Sequence, residues 1–168
     1  MDWATSIGFE DTHHTQQHVI AIRLLIAAAL GAVIGFERGA ASGVAGLRTH
    51  VLIAVAAALF TTLAFEMYDQ ALSGGSDAAD PIRAIEAVTA GIAFLGAGAI
   101  FQQRGSVQGL TTGAGMWLAG AVGVTAALGY YLIAAGVALL AVLVLAALRA
   151  FSHEVVSPEK GTGRSGDR

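Results

Sequence analysis

At 168 residues, 55% hydrophobic and 12% charged, with a mean hydropathy of +0.68, the chain holds far less charge than the roughly 25% of a soluble domain. It reads as an integral membrane protein. The net charge is −3 and cysteine is absent, which excludes disulfides, thiol catalysis and cysteine-based zinc sites, and no basic patch tracks a nucleic acid.

The chain opens on a polar stretch, residues 1–18, holding Asp2, Glu10, Asp11, His13, His14 and His18. An acidic start is not the basic n-region of a cleavable signal peptide, so insertion is expected to use the first apolar helix. His14 and His18 stand four apart and can share a helix face, but two histidines leave a zinc shell incomplete, and no metal is expected. Five apolar stretches follow: 19–36, 51–68, 84–101, 110–128 and 132–151. Each is long enough to cross a bilayer, which needs about 20 residues. The runs are continuous and rich in Ala and Leu rather than alternating, so helices are expected and strands are not. A long polar loop, 69–83, separates the second and third helices, with Asp80 and Pro81 starting the latter. The predicted architecture is all-α: an N-terminal tail over 1–18, a five-helix membrane domain over 19–151, and a disordered tail over 152–168.

Lysine and arginine placement sets the orientation. With five spans, Arg38, Arg48, Arg104, Arg149, Lys160, Arg164 and Arg168 fall on one side and only Arg23 and Arg83 on the other. The positive-inside rule places the first group in the cytoplasm, with the N-terminus outside. The outer side is acidic, with Glu66, Asp69, Asp77 and Asp80. Offset by 63 residues, Val44, Gly46, Leu47 and Thr49 match Val107, Gly109, Leu110 and Thr112, and Gly35 matches Gly98. This suggests that helices one and two repeat as helices three and four in the same orientation, with the fifth added.

Gly31, Gly35, Gly39 and Gly43 are spaced by four, as are Gly105, Gly109 and Gly113, and Gly91, Gly96 and Gly98 thin the third helix. Small residues at such spacing let helix backbones approach within lipid, either inside one chain or across a homodimer. Glu37 and Arg38 at the end of the first helix, with Arg48, Thr49 and His50 opening the second, form a candidate inner polar site, joined by Arg104, Thr111 and Thr112. Helix N-termini gathered there bring unsatisfied N–H groups and positive dipole ends, suited to the Glu37 carboxylate, an exchangeable anion or the acidic group of a partner. Arg23, Asp80, Arg83 and Glu86 form a candidate outer cluster, read either as capping and helical ion pairing or as a cation entrance. Thr61, Thr62, Thr89 and Thr125 are the few groups that could line a path between the two. No nucleophile elbow, phosphate loop, zinc helix or dinucleotide fingerprint is present, so neither an enzyme nor a cofactor is expected.

The pieces GFER at 35–38, AGLRTH at 45–50, DPIR at 80–83, GIAFLGAGAI at 91–100 and GLTTGAGMW at 109–117 resemble, in order and spacing, the membrane domain of the MgtC/SapB family. The resemblance implies a polytopic bacterial inner-membrane protein. In the virulence branch of that family it also implies adaptation to low magnesium and restraint of the proton-translocating ATP synthase. That branch carries a soluble C-terminal domain, and with 17 residues after 151 any regulation residing in it is expected to be absent here. The leading expectation is a small membrane regulator that binds another membrane protein through small-residue helix faces or through the Arg38, Arg48, Arg104 surface. The alternatives are a cation transporter or channel, and a structural homo-oligomer without turnover.

Overall fold

The computed structural model describes residues 15–40, 45–75, 80–103 and 106–156. Most of the N-terminal stretch, the C-terminal tail from 157 with Lys160, Arg164 and Arg168, and Gly43, Asp77, Arg104 and Gly105 lie outside the described residues. Five helices are present: α1 (Gln17–Ala40), α2 (Leu47–Ser73), α3 (Pro81–Gly98), α4 (Leu110–Ala127) and α5 (Tyr131–Val156). The first four are long and apolar enough to cross a membrane, and the described apolar part of α5 is Tyr131–Ala147.

Side-chain size is sorted as a lipid solvent demands. Ala27, Ala54, Ala58, Ala119, Ala126 and Ala134 are fully buried, whereas Phe94 and Leu132 are 78% and 88% exposed. Large apolar residues face outward because lipid tails are as apolar as the interior, and small ones face inward because backbone proximity maximises van der Waals contact. The central element is α4. It packs on all four other helices, and ten of its 18 residues are buried, against two, Ile92 and Gly96, in α3. α1 and α2 form a tight hairpin, and α3 leans only on α4 and α2.

Glycines fix how near these helices come. A Cβ at Gly31 would lie 2.8 Å from the Ala54 Cβ, and one at Gly35 would lie 2.8 Å from the Leu47 Cα. Between α3 and α4, a Cβ at Gly113 would lie 3.1 Å from the Gly96 carbonyl oxygen. The tightest crossing joins α2 to α4, where a Cβ at Gly123 would enter the Ala54 carbonyl. Not every predicted packing glycine serves this purpose. Gly39, Gly91 and Gly98 have open space where a Cβ would stand. Gly109 serves the chain path instead: its φ of +84° turns the backbone against the Ala99 carbonyl, a conformation with almost no cost only for glycine.

Two boundaries differ from the sequence expectation. α2 continues through the first part of the predicted 69–83 loop to Ser73, whose hydroxyl donates to the Asp69 and Gln70 carbonyls 2.9 Å away. The chain also contains strands: β1 (Phe101–Gln103) and β2 (Ser106–Gln108) form an antiparallel hairpin between α3 and α4, with Gln102 opposite Val107. Pairing these short segments satisfies their main-chain polar groups where the helix has ended. The two helical hairpins share an order but not their contacts. Gly35 packs on α2, while Gly98, its match at an offset of 63 residues, packs on nothing within 4 Å.

Substitution at two glycines separates packing from surface. Gly123→Ala is expected to destabilise the purified protein by about 1–3 kcal/mol, the usual range for overpacking. Gly136→Ala, with open space at that position, is expected to be neutral or to stabilise by up to about 1 kcal/mol. Thermal melts in detergent check both.

Candidate functional site

At the end of the bundle where α2 and α4 begin, polar side chains converge on the interior. α1 presents Arg23, Ala27, Gly31, Ile34 and Arg38 along one stripe, so its last turn carries a cation inward. Arg38 is 7% exposed and Glu37 8%. The Arg38 Nε donates to Glu37 Oε2 at 2.8 Å. Neighbouring residues on a helix ordinarily point apart; here both are drawn into protein because the flanking bilayer offers neither charge a counter-ion.

His50, on the first turn of α2, is fully buried. Its Nδ1 lies 2.9 Å from the Gly46 carbonyl oxygen. A carbonyl only accepts, so Nδ1 carries the proton and donates. The other nitrogen, Nε2, is buried with no hydrogen-bond partner among the described residues. It faces α4 at Gly115, where a Cβ would lie 3.0 Å from Nε2 and 3.5 Å from the Arg38 Cδ. Thr112, one turn earlier on the same helix, is 4% exposed. Both N-caps at this end are glycines, Gly46 and Gly109, and neither helix has a side-chain cap. Neither N-cap residue therefore supplies a side-chain acceptor to the first-turn amides of its helix.

Of the predicted inner-site residues, Glu37, Arg38, His50 and Thr112 are thus buried at one end of the bundle. Thr49 is half-buried, Arg48 and Thr111 are exposed, and Arg104 lies outside the described residues. Gly115 allows His50 and Arg38 to abut α4. It belongs to the thin GLTTGAG stretch at 109–115 but was not among the predicted packing glycines, and its signal is a glycine three residues after Thr112, on the same helix face.

The predicted outer cluster does not assemble. Asp80 is the N-cap of α3, its Oδ1 accepting from the Ile82 amide at 2.9 Å, while Arg83 and Glu86 are exposed. Arg23 reaches instead toward the α4–α5 turn, its terminal nitrogen 3.7 Å from where a Cβ of Gly129 would stand. The reason is the packing order: α1 packs on α2, α4 and α5, whereas α3 packs on α2 and α4, so Arg23 faces an interface that α3 does not share and Glu86 stays exposed. Glu66 accepts from the Thr15 amide at 3.1 Å, just ahead of α1.

Nor do the threonines form a file. Thr89 and Thr125 turn their hydroxyls onto the Ile85 and Ala121 carbonyls of their own helices, at 2.7 and 2.8 Å, and Thr61 and Thr62 are buried without hydrogen-bond partners among the described residues. No cluster of three or more metal-ligating side chains occurs among the described residues.

The model of the MgtC family matches residues 24–154, which takes in α2, α3 and α4 whole, most of α1 and α5, and the buried polar end just described. The chain belongs to the MgtC family. It is 39% identical over 110 residues to YhiD of Escherichia coli (strain K12), which carries a provisional magnesium-transporter name. That match covers 66% of this chain and 51% of YhiD. MgtC of Brucella abortus (strain 2308) is 44% identical over 95 residues, covering 56% of this chain and 37% of that protein. SrpB of Synechococcus elongatus is 37% identical over 112 residues, covering 62% of this chain and 60% of SrpB. The chain therefore spans about half the length of the curated relatives it matches, and no solved structure matches it. This MgtC-family protein is a helical, multi-pass membrane protein.

Within it, Arg38 has one hydrogen-bonded partner among the described residues, Glu37. Glu37→Leu is expected to leave a buried guanidinium uncompensated and to destabilise by about 3–5 kcal/mol. Joint replacement of both residues by leucine is expected to recover much of that loss, and thermal melts of the three variants measure the coupling.

Proposed function

We propose that this protein is a small regulator seated in the bacterial inner membrane, acting by binding a transmembrane helix of another membrane protein. The observation that carries the reading is a groove of about 620 Å³ between α2 and α3. Its floor holds Ala56, Ala57, Ala84, Ala87 and Gly91, and Phe60, Leu63, Met67 and Leu95 rise along its sides. Gly91, where an added Cβ would meet nothing within 4 Å, weakens its helix by about 1 kcal/mol relative to alanine. That cost is offset where a second helix approaches, which favours a helix over an acyl chain as occupant. Family resemblance supports the proton-translocating ATP synthase as partner. The charge asymmetry of the sequence supports an N-terminus outside and a cytoplasmic C-terminus. Arg38 is withdrawn into the bundle, so it is not part of any contact surface; Arg48 is exposed at that end.

The alternative, cation transport, draws on the name of YhiD. Against it stand the packed apolar residues between the two polar ends of the interior: Ala27, Ile34, Ala54, Ala58, Val122 and Ala126 are at most 1% exposed. A homo-oligomer without turnover would place a second copy in the same groove.

Gly91→Leu fills the groove without meeting any atom of the chain within 4 Å of the new Cβ. Capture of ATP synthase from solubilised membranes is expected to fall at least about tenfold in this variant, with an unchanged melting temperature. Proteoliposomes holding the wild-type chain are expected to show no magnesium uptake. Undiminished capture by Gly91→Leu rejects the groove, uptake establishes transport, and loss of self-association in the variant identifies a second copy as occupant.

A further inference from the structure

The end of the bundle where α2 and α4 start gathers main-chain and guanidinium donors among buried side chains. Two adjacent helices, of 27 and 18 residues, begin there without side-chain caps, and each N-terminus acts as about half a positive charge. Arg38 adds one full charge and Glu37 removes one. The C-terminal ends of α1, α3 and α5, which finish at the same end, offset the helix contribution, so what this end offers is directional N–H donors rather than surplus charge. The guanidinium spends its Nε on Glu37 and makes no other hydrogen bond to a described residue, although its side chain is only 9% exposed.

His50 supplies an independent observation. The side chain is fully buried, its Nδ1 proton is committed to the Gly46 carbonyl, and its Nε2 has no hydrogen-bond partner among the described residues and is aimed at the second turn of α4 beside the Arg38 stem. A ring protonated on Nδ1 alone offers a lone pair at Nε2, so it calls for a donor, while Arg38 and the first-turn amides call for an acceptor. One chemical group meets both demands: an oxyanion that retains a proton. Phosphate and phosphomonoesters keep a P–OH near neutral pH. Sulfate, chloride and phosphodiesters do not.

We propose that Arg38, His50 and the uncapped first turn of α4 hold a hydrogen-phosphate group, its charged oxygens on the guanidinium and main-chain amides and its hydroxyl toward His50 Nε2. The group belongs either to free phosphate or to a phosphomonoester lipid headgroup of the adjoining leaflet. Placement at the end of the bundle, where α1 gives way to α2, puts the site within reach of both. The proposal is independent of the α2–α3 groove.

The test uses the full chain in phosphatidylcholine nanodiscs, with inorganic phosphate and sulfate as probes at matched ionic strength. Phosphate is expected to bind once per chain and raise the melting temperature, and sulfate is expected to do neither. Arg38→Gln is expected to weaken phosphate binding by about tenfold or more, since hydrogen bonds to a charged group are the strong ones. Arg38→Lys, which keeps the charge and loses the fork, provides the same comparison should the glutamine variant fail to fold. In nanodiscs containing phosphatidic acid, loss of the phosphate-induced shift assigns the site to the lipid headgroup, and an undiminished shift assigns it to the free ion. Equal stabilisation by sulfate, no response to either phosphate or phosphatidic acid, or unaltered affinity in a folded Arg38 variant overturns the proposal.

Discussion

The contact on which the rest of the structure depends is the crossing of α2 and α4, where Gly123 lies against the Ala54 carbonyl. Lipid gives apolar side chains no reason to leave it, so helices associate only as far as their surfaces permit close approach. A methyl group at Gly123 would part the two backbones and, with them, every contact that depends on their separation. Gly120 lies close by, between the Ile92 and Ile53 side chains, and links the same crossing to α3. One turn of α4 therefore sets the spacing of three helices.

That spacing also governs the polar end. Arg38 and His50 reach α4 because Gly115 presents no side chain to them, and Gly35 lets the last turns of α1 lie against Leu47 and His50. Two charges, an imidazole and two sets of helix amides are held in a region that lipid on its own would not tolerate. The opposite end is built differently. Arg23 approaches the α4–α5 turn, where the carbonyl ends of α4 favour a cation. Both cations on the inward stripe of α1 thus meet α4, one at its start and one at its finish, with a tightly packed apolar stretch between them.

Much of this was legible in the chain. The five helices follow from continuous apolar runs, and the inward role of Glu37, Arg38, His50 and Thr112 follows from polar residues placed where one helix ends and another begins. The hairpin at 101–108 was not legible, because three-residue strands are too short to show alternation and Phe101 and Val107 read as helix edges. Nor could sequence sort the glycines. A Cβ at Gly31 or Gly35 would meet α2 while one at Gly39, at the same spacing, would enter open space, since spacing reports a helix face and not what lies opposite it. The outer cluster failed for the same reason: Arg23 and Glu86 were grouped by depth, but depth does not say which helices are neighbours.

The hairpin order has a bearing on biogenesis. α2 packs closely against α4 and only loosely against α3, its immediate successor. Elements emerge during synthesis from the N-terminus onward, so the α1–α2 pair enters the bilayer with its alanine-lined face and His50 awaiting a partner two helices downstream. The interior can close only after α3 has been set aside against lipid and α4 has slipped between its predecessors. The helix inserted fourth is the keystone of the assembly, and the third is the one the finished bundle holds least.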